Sequence, residues 1–188
     1  MLRVLVILLF CTHLAAAQKV VRRYYDPQRQ QLQEEFTVSA KDNETIDGAY
    51  KRYYANGNLE MEGTYVDGYR SGLFLEYNEE GILRRKINYL NGKRHGPVLV
   101  YDDNGIPMQR AFYQNNLLID SVQSFFDTGV IKSESYFVKG KPDGMLREFY
   151  PSGKVRKEIL YRNKKPNGIT TTYYESGVKE TESNFKNG

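Results

Sequence analysis

The sequence predicts an all-β protein: one elongated, twisted antiparallel sheet of tandem 24-residue β-hairpins. Three observations predict it. Glycine returns at a fixed interval, aromatic residues return in two columns at fixed offsets from it, and no stretch has the 3.6-residue apolar period and caps of a helix.

The first element is a leader. MLRVLVILLFCTHLAAAQ has a cation at Arg3, an apolar stretch from Val4 to Leu14 and a small-residue run, Ala15-Ala16-Ala17, before Gln18. That is the pattern of a cleaved secretory signal over residues 1–17, too short in its apolar part to span a bilayer. A lipid anchor on Cys11 is disfavoured because Leu9 and Phe10 are bulky where a small residue is expected. The expected location is therefore secreted or periplasmic. Cys11 is the only cysteine, so an exported domain would hold together by burial and hydrogen bonds alone.

Residues 18–47 contain a worn half-unit, RRYYDPQRQQLQEEFTV, and a polar stretch, AKDNETID. They are expected to cap the first strand edge. From Gly48 to Gly188 run six units, opening at Gly48, Gly72, Gly96, Asp120, Gly144 and Gly168, the last one incomplete. One aromatic column follows each opening: Tyr53, Tyr77, Tyr101, Phe125, Phe149 and Tyr173. Glycine closes each first turn, at Gly57, Gly81, Gly105, Gly129, Gly153 and Gly177. The second aromatic column is Tyr65, Tyr89, Tyr113, Phe137, Tyr161 and Phe185. Turn signals about every ten residues leave room for two strands per unit.

The first turns are ANG, EEG, DNG, DTG, PSG and ESG. Thr128 resists a left-handed backbone and Pro151 suits a first corner, so a three-residue loop, type I followed by left-handed glycine, is predicted. That loop places Tyr53 opposite Leu59, Tyr77 opposite Leu83, Phe125 opposite Ile131 and Phe149 opposite Val155. In the second turns Asn116 and Asp120 stand in for glycine, as residues that tolerate a left-handed backbone. Strict alternation then gathers both aromatic columns, with Ile87, Ala111 and Ile159, on one face. The other face would collect Glu60, Glu62, Arg84, Lys86, Lys132, Glu134, Arg156 and Glu158.

These columns resemble the variant MORN repeat of the YwqK-like antitoxin-repeat family, also found in exported proteins of Bacteroidetes-type bacteria. The likeness covers Gly48 to Gly188 through the unit GxYxxYYxNGxLxxExxYxxGxxxG, with departures at Asn116, Asp120, Lys164, Pro107 and Lys179. The resemblance implies a β-hairpin repeat used for interaction or scaffolding. In some envelope proteins such arrays precede a TonB-like domain, which does not occur in this sequence.

Composition excludes several functions. The formal charge of +4, with acids and bases interspersed, is too mild for a nucleic-acid partner. His13 falls in the leader and His95 stands alone, a solvated turn residue by expectation, so neither a metal set nor a nucleophile–base pair can be assembled. Glu60/Glu62 is expected to be a solvated pair and Asp42-Asn43-Glu44 lacks the spacing of a calcium loop. No catalytic residue, cofactor or metal is expected. Tyr50, Tyr54, Phe74, Phe126, Tyr150 and Tyr174 would point to the charged face and are the candidate partner-binding residues. The expected function is an exported, non-enzymatic scaffold for a protein or cell-envelope component, peripherally associated with the envelope. The alternative is a glycan-binding module or an accessory N-terminal region of an envelope enzyme or transporter. An open last edge also invites edge-to-edge self-association.

Overall fold

Short extended segments cannot satisfy their backbone groups singly, so each pairs with the next. The computed structural model describes residues 18–188; the expected leader, with Cys11 and His13, lies outside them. Fourteen strands form one sheet in chain order, every neighbouring pair antiparallel and joined by a turn. They are β1 (Lys19–Tyr24), β2 (Leu32–Val38), β3 (Ile46–Tyr53), β4 (Leu59–Val66), β5 (Tyr69–Tyr77), β6 (Leu83–Leu90) and β7 (Lys93–Tyr101). Then follow β8 (Pro107–Gln114), β9 (Leu117–Phe125), β10 (Ile131–Val138), β11 (Lys141–Phe149), β12 (Val155–Arg162), β13 (Lys165–Tyr173) and β14 (Lys179–Phe185). No helix occurs among the described residues.

The first turn of each unit is the predicted three-residue loop. In the first full unit Tyr54 N–H donates to the Asn58 carbonyl at 2.8 Å and Gly57 N–H to the Tyr54 carbonyl at 2.9 Å, with Gly57 at φ +88°. A side chain there would strain the backbone, which is why the column is invariant within the chain. Tyr53 lies opposite Leu59, Tyr77 opposite Leu83, Phe125 opposite Ile131 and Phe149 opposite Val155, as predicted. The second turns are two-residue turns with positive φ at both positions, for example Asp67-Gly68 and Asn115-Asn116. Asp120, expected in the second turn, is left-handed at φ 58° but lies within β9, opposite Phe137.

The expected single aromatic face is not what forms. Each hairpin carries one unpaired residue just past its first turn. Tyr53 faces Leu59 but Arg52 faces Met61, leaving Glu60 between them; Arg84, Met108, Lys132, Arg156 and Glu180 occupy the same place in later units. One extra residue reverses the alternation of the return strand. The second aromatic column therefore shares a face with Tyr50, Phe74, Val98, Val122 and Leu146, and the first column lies on the other face beside Glu62, Lys86, Glu134 and Glu158.

Each face has a continuous cross-strand row. On the apolar side it runs Val21, Phe36, Tyr50, Gly63, Phe74, Ile87, Val98, Ala111, Val122, Ser135, Leu146, Ile159, Thr170, Ser183. Bulk alternates with small residues where rings crowd. A Cβ at Gly63 would lie 2.6 Å from Phe74 ring carbons, so that glycine makes room for the ring. Phe36, Val38, Tyr50, Met61 and Phe74 form the buried cluster, flanked by Val21, Ile46, Tyr65 and Tyr89. Its rings step along the sheet: Tyr50–Tyr65 centroids are 5.2 Å apart, Tyr65–Phe74 5.6 Å and Phe74–Tyr89 5.2 Å, the last two edge-on.

Residues 19–38 correct a second expectation. They supply both strands of a hairpin rather than half a unit, and β1 pairs with β2 with the same register break, between Arg23 and Tyr24, that Arg52 and Tyr53 show. Phe36 and Val38 from this hairpin belong to the core, while the outer side of β1 has no neighbouring strand among the described residues.

Candidate interaction surfaces

On the polar face the cross-strand row is Arg22, Glu35, Lys51, Glu62, Leu75, Lys86, Leu99, Arg110, Gln123, Glu134, Arg147, Glu158, Thr171, Glu182. Charges of opposite sign fall beside one another because strands neighbour at about 4.8 Å. Arg110 donates to Gln123 Oε1 at 2.6 Å through Nη2, and Gln123 Nε2 donates to Glu134 Oε1 at 2.6 Å. Further on, Arg147 Nε donates to Glu158 Oε1 at 2.8 Å, and the Tyr173 hydroxyl donates to Glu158 Oε2 at 3.2 Å. Tyr77 likewise donates to Glu62, at 3.1 Å. Burial, and then this carboxylate, hold the Tyr77 phenol above its ordinary range.

The end of this face at the two-residue turns is different. Val66, Tyr69, Leu90, Leu117 and Val138 flank those turns and are exposed, Tyr69 by 60 %. Side chains lean from one turn towards the next: a Cβ at Gly92 would lie 3.2 Å from Tyr69 Cδ1, and one at Gly140 4.0 Å from Leu117 Cδ2. With Leu73 on the same face they form an apolar rim along a charged sheet.

The candidate binding residues divide three ways. Tyr50 and Phe74, expected on the charged face, are 6 % and 0 % exposed; both belong to the core because of the reversed alternation. The Tyr50 hydroxyl donates to Glu34 at 2.7 Å, and burial first, then that hydrogen bond, raises its pKa well above the ordinary phenol. Tyr54 and Tyr150 are half-buried and clamp neighbouring units: Tyr54 donates to the Tyr77 carbonyl and Tyr150 to the Tyr173 carbonyl, each at 2.8 Å. Tyr25 does the same to the Tyr53 carbonyl at 2.8 Å. Phe126 is half-buried beneath Lys132, whose Nζ is 5.9 Å from the ring centroid. Tyr174 is exposed, at 53 %.

Two arginines escaped sequence reasoning. Arg70 lies between rings, with Cζ 5.0 Å from the Phe74 centroid and 5.3 Å from that of Tyr89, and it donates to the Tyr89 hydroxyl at 3.0 Å. Arg94 covers Tyr113 at 4.2 Å. Their signal was available: each stands two residues before an opening glycine, one period apart. Arg94 borders a groove of about 410 Å³ on the apolar face, floored by Ile87, Val98 and Ala111 between Tyr89 and Tyr113. His95 lies in β7 rather than in a solvated turn, half-buried, with Nδ1 buried and unpaired among the described residues.

The family profile described as MORN repeat variant matches residues 46–67, 70–91, 94–115, 142–163 and 166–187, more than half of the chain. The chain belongs to the MORN repeat variant family. The matched MORN segments each cover one hairpin, a first strand, its three-residue loop and the second strand, in the order seen in the sheet. Between them, β9 and β10 keep the same hairpin register although Asp120 stands where the other units have glycine. MORN repeats generally serve as modules for protein or membrane interaction rather than as catalysts. A search of curated proteins gave no significant match.

Proposed function

We propose that the chain is an exported, non-enzymatic MORN scaffold, secreted or periplasmic, that presents its polar face to a protein or cell-envelope component. The observation that carries this reading is the exposed apolar rim of Val66, Tyr69, Leu90, Leu117 and Val138 beside a row of alternating charges. Apolar residues so placed give a partner something to desolvate, and the charge row gives register and selectivity. The general use of MORN repeats in protein and membrane interaction supports it. The rim is the place to test. Leu90→Glu combined with Leu117→Glu should abolish capture of a protein from an envelope fraction while leaving the thermal midpoint unchanged; undiminished capture would sink this reading.

A glycan-binding or accessory envelope role is the second reading, favoured by the exposed Tyr174 ring and by the groove between Tyr89 and Tyr113 with Arg94 at its lip. Rings stack on sugar faces and an arginine pairs with acidic sugars. Retention on isolated cell-wall polysaccharide, lost in Tyr174→Ala or Arg94→Ala, would favour it over the rim.

A further inference from the structure

The two outer strands have complementary ends of the same pattern. The polar row starts at Arg22 on β1 and finishes at Glu182 on β14, an exposed base and an exposed acid. Arg22 engages Glu35 through Nε at 2.6 Å, and among the described residues Glu182 pairs only with Lys179 of its own strand. The clamp column ends the same way. Tyr25, Tyr54 and Tyr150 each donate to the carbonyl preceding the first turn of the next unit, whereas the Tyr174 hydroxyl has no acceptor among the described residues.

Register says what would fit there. β14 is a second strand and β1 a first strand, the same combination that meets at every junction between units, as β4 meets β5. At that junction Met61 faces Glu76 and Glu62 faces Leu75. Carried over by position, Thr181 would face Arg23 and Glu182 would face Arg22. The small Ser183 would take the place of Gly63, against Val21 in the place of Phe74. Tyr24 then holds the carbonyl that the Tyr174 hydroxyl lacks. β1 carries Lys19, Arg22 and Arg23 with no acid, while β14 carries Glu180 and Glu182 against Lys179.

We propose that the β14 edge of one copy pairs with the β1 edge of a second copy, so that the sheet continues from molecule to molecule with Glu182 beside Arg22 and Tyr174 bound to the Tyr24 carbonyl. The contact is heterologous, head to tail, and does not close on itself as a twofold contact does. Among the described residues both edges otherwise leave a line of unpaired backbone groups, and the pairing satisfies them. It stands apart from the rim reading, since it uses the ends of the sheet and not its face.

Sedimentation velocity of the purified full chain over a wide concentration range tests it. The average mass should rise with concentration past the dimer. E182K and R22E should each weaken association roughly tenfold, by setting like charges side by side. An equimolar mixture of the two, which restores opposite charges at every junction, should recover wild-type association, as should the doubly reversed chain. Tyr174→Phe should weaken association several-fold with no change in thermal midpoint, because that hydroxyl has no partner within its own chain among the described residues. A monomer at every concentration, a plateau at dimer, or a loss in E182K that R22E does not recover would overturn the proposal.

Discussion

Phe74 is the residue on which packing converges. It is fully buried, meets Tyr65 and Tyr89 edge-on, and depends on Gly63 for space. Phe74→Ala should cost about 3–5 kcal/mol in urea unfolding, and Gly63→Ala about 1–3 kcal/mol, since the added methyl has no room without moving the ring. Tyr50 gives a pH dependence. Its folded-state pKa is raised by burial and by the bond to Glu34, so the stability it lends is complete below about pH 10, the unfolded value, and is lost as pH climbs towards the folded one. Tyr50→Phe should therefore cost about 1 kcal/mol at neutral pH and progressively less above pH 10, read as a convergence of the two unfolding midpoints. Tyr50 and Phe74 could be picked from the sequence as special but not placed: alternation counted straight through the hairpin sends them to the wrong side.

At the level of the hairpin the decisive feature is the unpaired residue after the first turn. Arg156 is one, exposed and without an ion pair among the described residues, between Val155 opposite Phe149 and Lys157 opposite Glu148. Its side chain matters little but its presence sets the parity of Ile159 and Tyr161. Arg156→Ala should shift stability by less than about 0.5 kcal/mol. Deleting Arg156 should cost roughly 3 kcal/mol or more, by turning Ile159 and Tyr161 onto the polar face, and should broaden the thermal transition. The type of the first turn, by contrast, was legible, because a proline, a threonine and a glycine column constrain φ directly, whatever the rest of the chain does.

The whole sheet is a one-dimensional stack in which strands contact their sequence neighbours. Stability in such an array is a sum of unit and junction terms, and here the sum is uneven. The buried cluster belongs to β2 through β5, whereas every residue of β14 is exposed. Ending the chain after Asn163, which removes β13 and β14, should leave the remaining strands folded and lower the thermal midpoint by only a few degrees. Removing residues 18–47 should cost far more, because Phe36 and Val38 leave with them. Amide exchange should show the same gradient, slowest in β3 to β5 and fastest in β14.

The sequence alone determined the repeat, its period, the type of the first turn and the order of strands, because each of these rests on local backbone chemistry at glycine, proline and asparagine. The assignment of faces was decided only by tertiary structure. An unpaired strand residue is invisible until its partner strand is known, and the residues at that place, Glu60, Arg84, Met108, Lys132, Arg156 and Glu180, share no side-chain property that would reveal it. The clamp tyrosines and the matching ends of the polar row likewise exist only across strands, where hydrogen-bond geometry and cross-strand distance, not sequence separation, choose the partner.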